Sequence, residues 1–324
     1  MTTRRILLAG AAALAAAAFA PAIAHAQAYP SQDIHVVTGF PPGSGADVLT
    51  RFFAEKMRAV SGRTIVVENK VGANSLIAIQ TVAKSKPDGY TIYMSAGSAT
   101  AAQMHLLKEP PLDVLKSFQL AATINRQAFM TVVDAKSPYK TMADLTAAMK
   151  AKGEKATWAS AATSGIVMGE MYKELAGLKA VEVRYKNAPD SLNDMLSGVI
   201  DYGMHDPVFA LAQMREGRLR VLAHSAGKRF TAVPEIPTMA ESGFPTMDLT
   251  GWWAVHLPTG TPKPVIDKIN AWFKEILEQK DSIEFLNKFG GDAFISTPEE
   301  AQALFIKEEK AWADYVRLAK IEKQ

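Results

Sequence analysis

The 324-residue chain contains no cysteine, so no disulfide framework and no thiolate zinc site can be built from it. A fold of this length must then be held by its core alone, which is feasible at this size. The six histidines show no His-Glu-x-x-His or comparable spacing, which leaves a metal site without support. A Gly-Lys-[Ser/Thr] phosphate loop is also missing, and no cofactor is expected. No Gly-x-Ser-x-Gly elbow occurs, although Ser44, Ser95 and Ser160 lie on small-residue loops. Excess charge is lacking too. The formal net charge is +3, and Arg4 and Arg5 account for two of those positive charges within a leading segment that is expected to be removed. A nearly neutral chain has no electrostatic reason to hold nucleic acid or an anionic membrane surface. No internal repeat appears, and the only low-complexity stretch is the alanine-rich start.

That start reads as an export signal. Arg4 and Arg5 precede an apolar run from Ile6 to about Ala20, followed by the small-x-small site Ala24-His25-Ala26, with cleavage expected after Ala26. The run is shorter than the roughly 20 apolar residues that span a bilayer. The Arg4-Arg5 pair suits both the general and the twin-arginine export route. An exported chain without disulfides fits a bacterial periplasm.

The next informative stretch is Phe40-Pro41-Pro42-Gly43-Ser44-Gly45-Ala46-Asp47. It separates a β-branched run, Ile34 to Val37, from an amphipathic run with apolar residues at Leu49, Phe52, Phe53, Met57 and Val60, which predicts strand, loop, helix. Free N–H groups and the positive dipole end at that helix start make a seat for an anion. Asp47 would repel a polyphosphate, so a smaller group such as a carboxylate fits better; Asp47 reads equally as a helix cap.

Further along, strands predicted at 64–69 and 91–94 alternate with a helix at 76–85, which indicates a parallel sheet covered on both faces. Ligands gather at the carboxyl ends of such strands, where the loops at Phe40 and at Ser95 to Ser98 would lie. Asn125-Arg126 interrupts an apolar segment before a fresh strand at 129–133, and a crossing to a second lobe is placed there. The alternation repeats in that lobe: helix 142–150, strand 156–159, loop 160–165, helix 166–176, strand 181–185, helix 188–196 and strand 202–205. A strand at 218–225 follows, then a Pro-punctuated loop, a return crossing at 251–262 and two closing helices from 263 and 298. The expected fold is thus α/β and two-lobed, with 27–124 plus 252–324 in one lobe and 125–251 in the other.

Tyr29-Pro30, the 40–47 loop, Val66-Val67-Glu68-Asn69-Lys70, Lys86-Pro87-Asp88-Gly89-Tyr90-Thr91, Tyr185-Lys186, Arg218-Leu219-Arg220, Pro237 to Gly243 and Pro258-Thr259-Gly260-Thr261-Pro262 follow one another in an order that resembles the Bug proteins. These are the extracytoplasmic solute receptors of tripartite tricarboxylate transporters. The resemblance implies a non-enzymatic, monomeric periplasmic binding protein that closes like a Venus flytrap on a small carboxylate and docks on membrane permease subunits. It further implies that the carboxylate lies between the first-lobe loop, with Phe40, Gly43, Ser44, Gly45, Ala46 and Asp47, and the second-lobe loop, with Ser160, Ala162 and Thr163. Ser95, Ser98 and Tyr185 complete the candidates near those loops.

Three features depart from the usual pattern. Ala159-Ser160-Ala161-Ala162-Thr163 stands where the family has a glycine-richer loop, His205 precedes Asp206 where an aromatic is common, and His224 replaces an aliphatic or hydroxyl residue. With Arg126 near the crossing, these suggest a cluster for a second anionic group, and hence a dicarboxylate, with an aromatic body among the candidates. The plainer alternatives are structural. Each histidine can be a satisfied strand-end group, Arg126 can pair with Asp206, Trp252-Trp253 can be hinge packing, and Met168, Met171, Met195 and Met204 can fill core. Two other functions stay open at this point: a receptor that signals to a membrane sensor kinase, and an exported serine hydrolase.

Overall fold

The computed structural model describes residues 29–185 and 187–323. The predicted export signal and its cleavage point lie outside the described residues, as does Lys186. Residues 29–31, which include a cis Tyr29–Pro30 peptide, form a unit apart. The strands and helices among the described residues all lie in the compact unit that begins at Gln32.

Strand β1 (Ile34–Thr38) buries Ile34, Val36 and Val37 and feeds the 40–44 loop. Helix α1 (Gly45–Ser61) buries Leu49, Phe53 and Met57 on one face and stops at Gly62, whose left-handed φ of 68° lets its N–H close on the Arg58 carbonyl. Strand β2 (Ile65–Asn69) leads through a 3-10 turn, Ala73–Ser75, to α2 (Leu76–Ala83), and β3 (Thr91–Ala96) runs straight into α3 (Gly97–Leu106). Then come α4 (Val114–Ser117), β4 (Phe118–Ala128) and β5 (Met130–Asp134). Helix α5 (Met142–Lys152) opens on a reciprocal cap between Thr141 and Asp144. After it follow β6 (Thr157–Ser160), α6 (Thr163–Ala176), β7 (Val181–Arg184), α7 (Ala188–Leu196), β8 (Tyr202–His205), α8 (Pro207–Arg215) and β9 (Leu219–His224). The chain ends with β10 (Thr250–Pro258), α9 (Lys263–Glu278), α10 (Lys280–Lys288), β11 (Gly291–Ala293) and α11 (Pro298–Leu318).

The strands form two sheets with helices against them. One has the order β11-β4-β10-β3-β1-β2, the other β7-β6-β8-β5-β9. As the alternation predicts, β1 lies parallel to β2 and β3, and β6 lies parallel to β7 and β8. Both sheets are mixed, because the chain leaves the first sheet along β4 and returns along β10, and these two strands must run in opposite senses. They pair from Thr250 with Ala128 to Pro258 with Phe118. Strand β5, entered straight from β4, is antiparallel to β8 and β9.

Three local expectations change. Asn125-Arg126 does not end a strand: Asn125 is buried and pairs with Trp253 and Ala293, while Arg126 turns its side chain outward, and β4 continues to Ala128. The stretch 95–98 is no loop, since Gly97 opens α3 directly. A Cβ on Gly97 would lie 2.0 Å from the Trp252 ring, so glycine serves close packing there and not a turn. The third change follows the strand expected at 202–205, where Asp206 and Pro207 do not form a loop but start α8, with Pro207 in its first turn.

Met168, Met171, Met195 and Met204 are all buried core residues. The Trp pair divides, as successive residues of a strand must. Trp252 packs edge-on to Phe305 in the core. Trp253 faces the opposite side and stacks on Phe40 at 5.4 Å between ring centroids.

Candidate functional site

A cavity of about 640 Å³ opens among the carboxyl ends of the strands of both sheets. Five helices start on it. From the first sheet come α1 with Gly45 and Ala46 and α3 with Ser98 and Ala99; from the second come α6 with Ala162, Thr163 and Ser164, α7 with Ala188, and α8 with Asp206 and Val208. The α1 and α8 starts touch across it, a Cβ on Gly45 lying 3.6 Å from Val208 Cγ1. Each start contributes free N–H groups and about half a positive charge of dipole. Three are capped by side chains of their own, Ser44, Asn187 and Asp206. The other two, α3 and α6, begin on Ala96 and Ala162 and have no side-chain cap. An alanine at that position leaves the first-turn amides to an outside acceptor. No lysine, arginine or histidine is among the described residues that line the cavity. What the site can offer an anion is main-chain dipoles and neutral hydroxyls and amides, beside the Asp206 carboxyl.

The 40–47 loop is braced from within by Asp47, only 2% exposed. Its carboxylate accepts the Gly43 N–H at 2.8 Å, Arg51 Nε at 2.9 Å and Asn69 Nδ2 at 2.7 Å, and Asn69 also donates to the Phe40 carbonyl. Burial works to raise the Asp47 pKa, but those hydrogen bonds outweigh it and hold the carboxyl below its ordinary value. Ser44 donates its N–H and hydroxyl to Pro41 O and accepts the Asp47 N–H. The loop therefore consumes the amides of Gly43 and Ser44 itself. Phe40, Gly45 and Ala46 line the cavity; Gly43, Ser44 and Asp47 shape it from behind.

The second-sheet loop divides in the same way. Ser160, buried, donates its hydroxyl to the Ala162 carbonyl and accepts the Ala162 N–H, which fixes the turn, while Ala162 and Thr163 face the cavity. Gly165 lets α6 start close to the sheet: a Cβ there would meet Ser160 Oγ at 2.1 Å and the Met204 carbonyl at 2.6 Å. Ser98 lines the cavity, but Ser95 is buried in β3 behind it. Tyr185 lies outside the lining and donates its hydroxyl to the Asp194 carboxylate.

The cationic cluster expected from the sequence is not assembled. His205 and His224 both flank Met130 across the sheet and share its face, away from the cavity. His205, 2% exposed, packs on Phe209 with Nε2 3.3 Å from Ser191 Oγ. His224, fully buried, stacks on Phe230 at 5.3 Å. Burial pushes both imidazoles down to about 4, so they are neutral near pH 7. Arg126 is exposed and lays its guanidinium over the Phe294 ring at 3.6 Å instead of meeting Asp206. Asp206 does face the cavity as the α8 cap, accepting the Phe209 N–H at 3.0 Å, and burial raises its pKa. It is the one ionisable side chain among the described lining residues. No histidine bonds to Ser44, Ser95 or Ser160 among the described residues.

Several lining residues were not anticipated. Asn74 and Ser75 come from a turn in which Ala73, Asn74 and Ser75 all take positive φ (45°, 52° and 71°), and Gln103 Nε2 donates to the Asn74 carbonyl at 2.7 Å. Gln127 and Trp253 arrive from the crossing strands, Phe289 from the residue that ends α10, and Trp312 from α11. Only the 72–75 turn carried a local signal.

Two α/β sheets joined by paired crossing strands, with helix starts from both sheets opening on one cavity, define the periplasmic binding-protein class. The chain belongs to the Tripartite tricarboxylate transporter family receptor (TctC) family, whose pattern it matches over residues 49–318. It is 30% identical to Protein BugT of Bordetella pertussis over 295 residues, 90% of each chain. The periplasmic binding protein BugD superposes with a TM-score of 0.75 at 28% identity, covering 91% of this chain and all of that one (100%). R. palustris Rpa4515, solved with adipate, shares the fold at a TM-score of 0.80 and 24% identity, with 91% and 100% covered. The chain is accordingly a solute-binding receptor of transport, not an enzyme.

Proposed function

We propose that this protein is exported to the periplasm, captures a small carboxylate between two closing lobes, and delivers it as a monomer to the membrane permease subunits of a tripartite tricarboxylate transporter. The observation that carries the reading is the convergence of helix starts from both sheets on one cavity with no cationic side chain among its described lining residues. In this reading the carboxylate accepts hydrogen bonds from the amides of Gly45 and Ala46 on one side and of Thr163 and Ser164 on the other, with the Ser98 and Thr163 hydroxyls in support. Residues 27–124 with 252–324 move as one lobe and 125–251 as the other, and closure follows from tighter binding to the closed form. The N-terminal 26 residues serve as the export signal.

The test is thermal unfolding of the purified mature protein with a panel of carboxylic acids and matched amides. A binding acid at a hundredfold excess over its dissociation constant stabilises the fold by about 2.7 kcal/mol, and its amide does not. No shift with any acid of the panel contradicts the reading.

A further inference from the structure

We propose that Asn74 selects acids that carry a second oxygen function away from the carboxylate, and that Gln103 is the residue that positions it. This deepens the carboxylate reading and rests on it. A volume of about 640 Å³ is well beyond what one carboxylate fills, so the rest of the ligand must meet the remaining lining. Beside the aromatic rings of that lining stand the uncharged polar side chains of Asn74, Ser75, Gln103 and Gln127. Among the described residues, neither the Asn74 side-chain amide nor that of Gln127 has a hydrogen-bond partner. A bare hydrocarbon end placed against them strips their water and gives nothing back.

Asn74 stands out through its backbone. Ala73, Asn74 and Ser75 hold φ of 45°, 52° and 71°, directly after Gly72 at 138°. Glycine takes such angles freely, whereas a residue with a Cβ is strained there, so the turn keeps side chains at the cavity wall against the local preference of its backbone. Asparagine tolerates the left-handed region better than most residues, and its amide offers two donors and an acceptor. Gln103, on α3 and only 4% exposed, fixes this turn. Its Nε2 donates to the Asn74 carbonyl at 2.7 Å, and a carbonyl can only accept, which determines which way the Gln103 amide faces. The Asn74 main chain is thereby pinned to α3, and its side chain meets the ligand from a fixed support. An uncharged amide bonds to a hydroxyl, a carbonyl or a carboxylate oxygen alike.

Titration calorimetry of the mature protein with hexanoate, 6-hydroxyhexanoate and adipate, and with benzoate, 4-hydroxybenzoate and terephthalate, reads the preference on an aliphatic and an aromatic skeleton. On the skeleton that binds, the oxygenated acids are expected to bind at least about tenfold more tightly than the parent acid. Asn74→Gly removes the amide and suits the left-handed turn, so it is expected to cut the preference to about twofold or less while the midpoint of chemical denaturation does not fall. A residue with only a structural role would lower the midpoint and leave the preference alone. Gln103→Met, similar in shape but without a donor, is expected to cut the preference as well, with no further loss when Asn74→Gly is added to it. A parent acid that binds as tightly as its oxygenated partners overturns the proposal and leaves a carboxylate receptor in place. A preference unchanged by Asn74→Gly overturns the role of Asn74, and one unchanged by Gln103→Met overturns that of Gln103. Silence from all of these acids overturns the proposal, and the carboxylate reading falls with it if the thermal panel is silent as well.

Discussion

Asp47 and His224 show how far single residues can be read without a structure. Asp47 at a predicted helix start was legible as either cap or contact, because both roles need a carboxylate at the same place. What decides between them is Asn69, which reaches it from the next strand and has no local signature. His224 stood out only as a departure from a pattern. Its stacking on Phe230 and its burial depend on packing that one chain position does not encode. The neutrality of the histidines has a measurable consequence. A protonated histidine that gripped the ligand would make affinity fall as pH rises through its bound-state pKa. With His205 and His224 depressed to about 4 by burial, carboxylate affinity stays level between about pH 6 and pH 8. Glu308, raised to about 7 by burial, also titrates in that window from outside the cavity lining, and burial raises Asp206 in the lining, so calorimetry on Glu308→Gln and Asp206→Asn is the control. Affinity that weakens with rising pH in all three proteins contradicts the assignment. The sign for the fold is separate. A depressed histidine contributes stability that is complete above about pH 6.5 and is lost as pH falls towards 4, because the unfolded chain takes up protons first.

At the scale of elements, the helix starts matter most, and they were unevenly legible. The α1 start followed from Pro, Gly and an amphipathic run. The α3 start was hidden because small residues read as loop, whereas Gly97 is small to admit Trp252. The α8 start was hidden because Pro207 reads as a breaker as readily as a first-turn residue. The Ala73–Ser75 turn holds three non-glycine residues in the left-handed region, at a cost of about 1 kcal/mol or more for the alanine and the serine. Its side chains at 74 and 75 line the cavity, so the strain is retained where the walls are built. Gly39 makes room for it, since a Cβ there would lie 2.3 Å from Ser75 Cβ. Gly39→Ala is therefore expected to destabilise the fold by about 2 kcal/mol in chemical denaturation, and Ser75→Gly to stabilise it by about 1 kcal/mol. A Ser75→Gly protein no more stable than the parent would show that the turn carries no strain.

For the molecule as a whole, the alternation of strands and helices made the two-sheet α/β architecture readable, because period and turn chemistry are local. The mixed character of the sheets was not readable, since it follows from the pairing of β4 with β10, residues more than a hundred positions apart. The cavity inherits that difficulty: Phe289 and Trp312 reach it only after the chain has returned. What unites the molecule in the proposed reading is that an acid group is bound by main-chain amides from two sheets rather than by cationic side chains. A crystal structure of the protein with its tightest-binding acid tests this most directly. The account predicts carboxylate oxygens within hydrogen-bonding distance of the Gly45 or Ala46 amide and of the Thr163 or Ser164 amide, with no arginine, lysine or histidine side chain in contact. A carboxylate seated on Arg126, or anywhere outside the cavity, would contradict it.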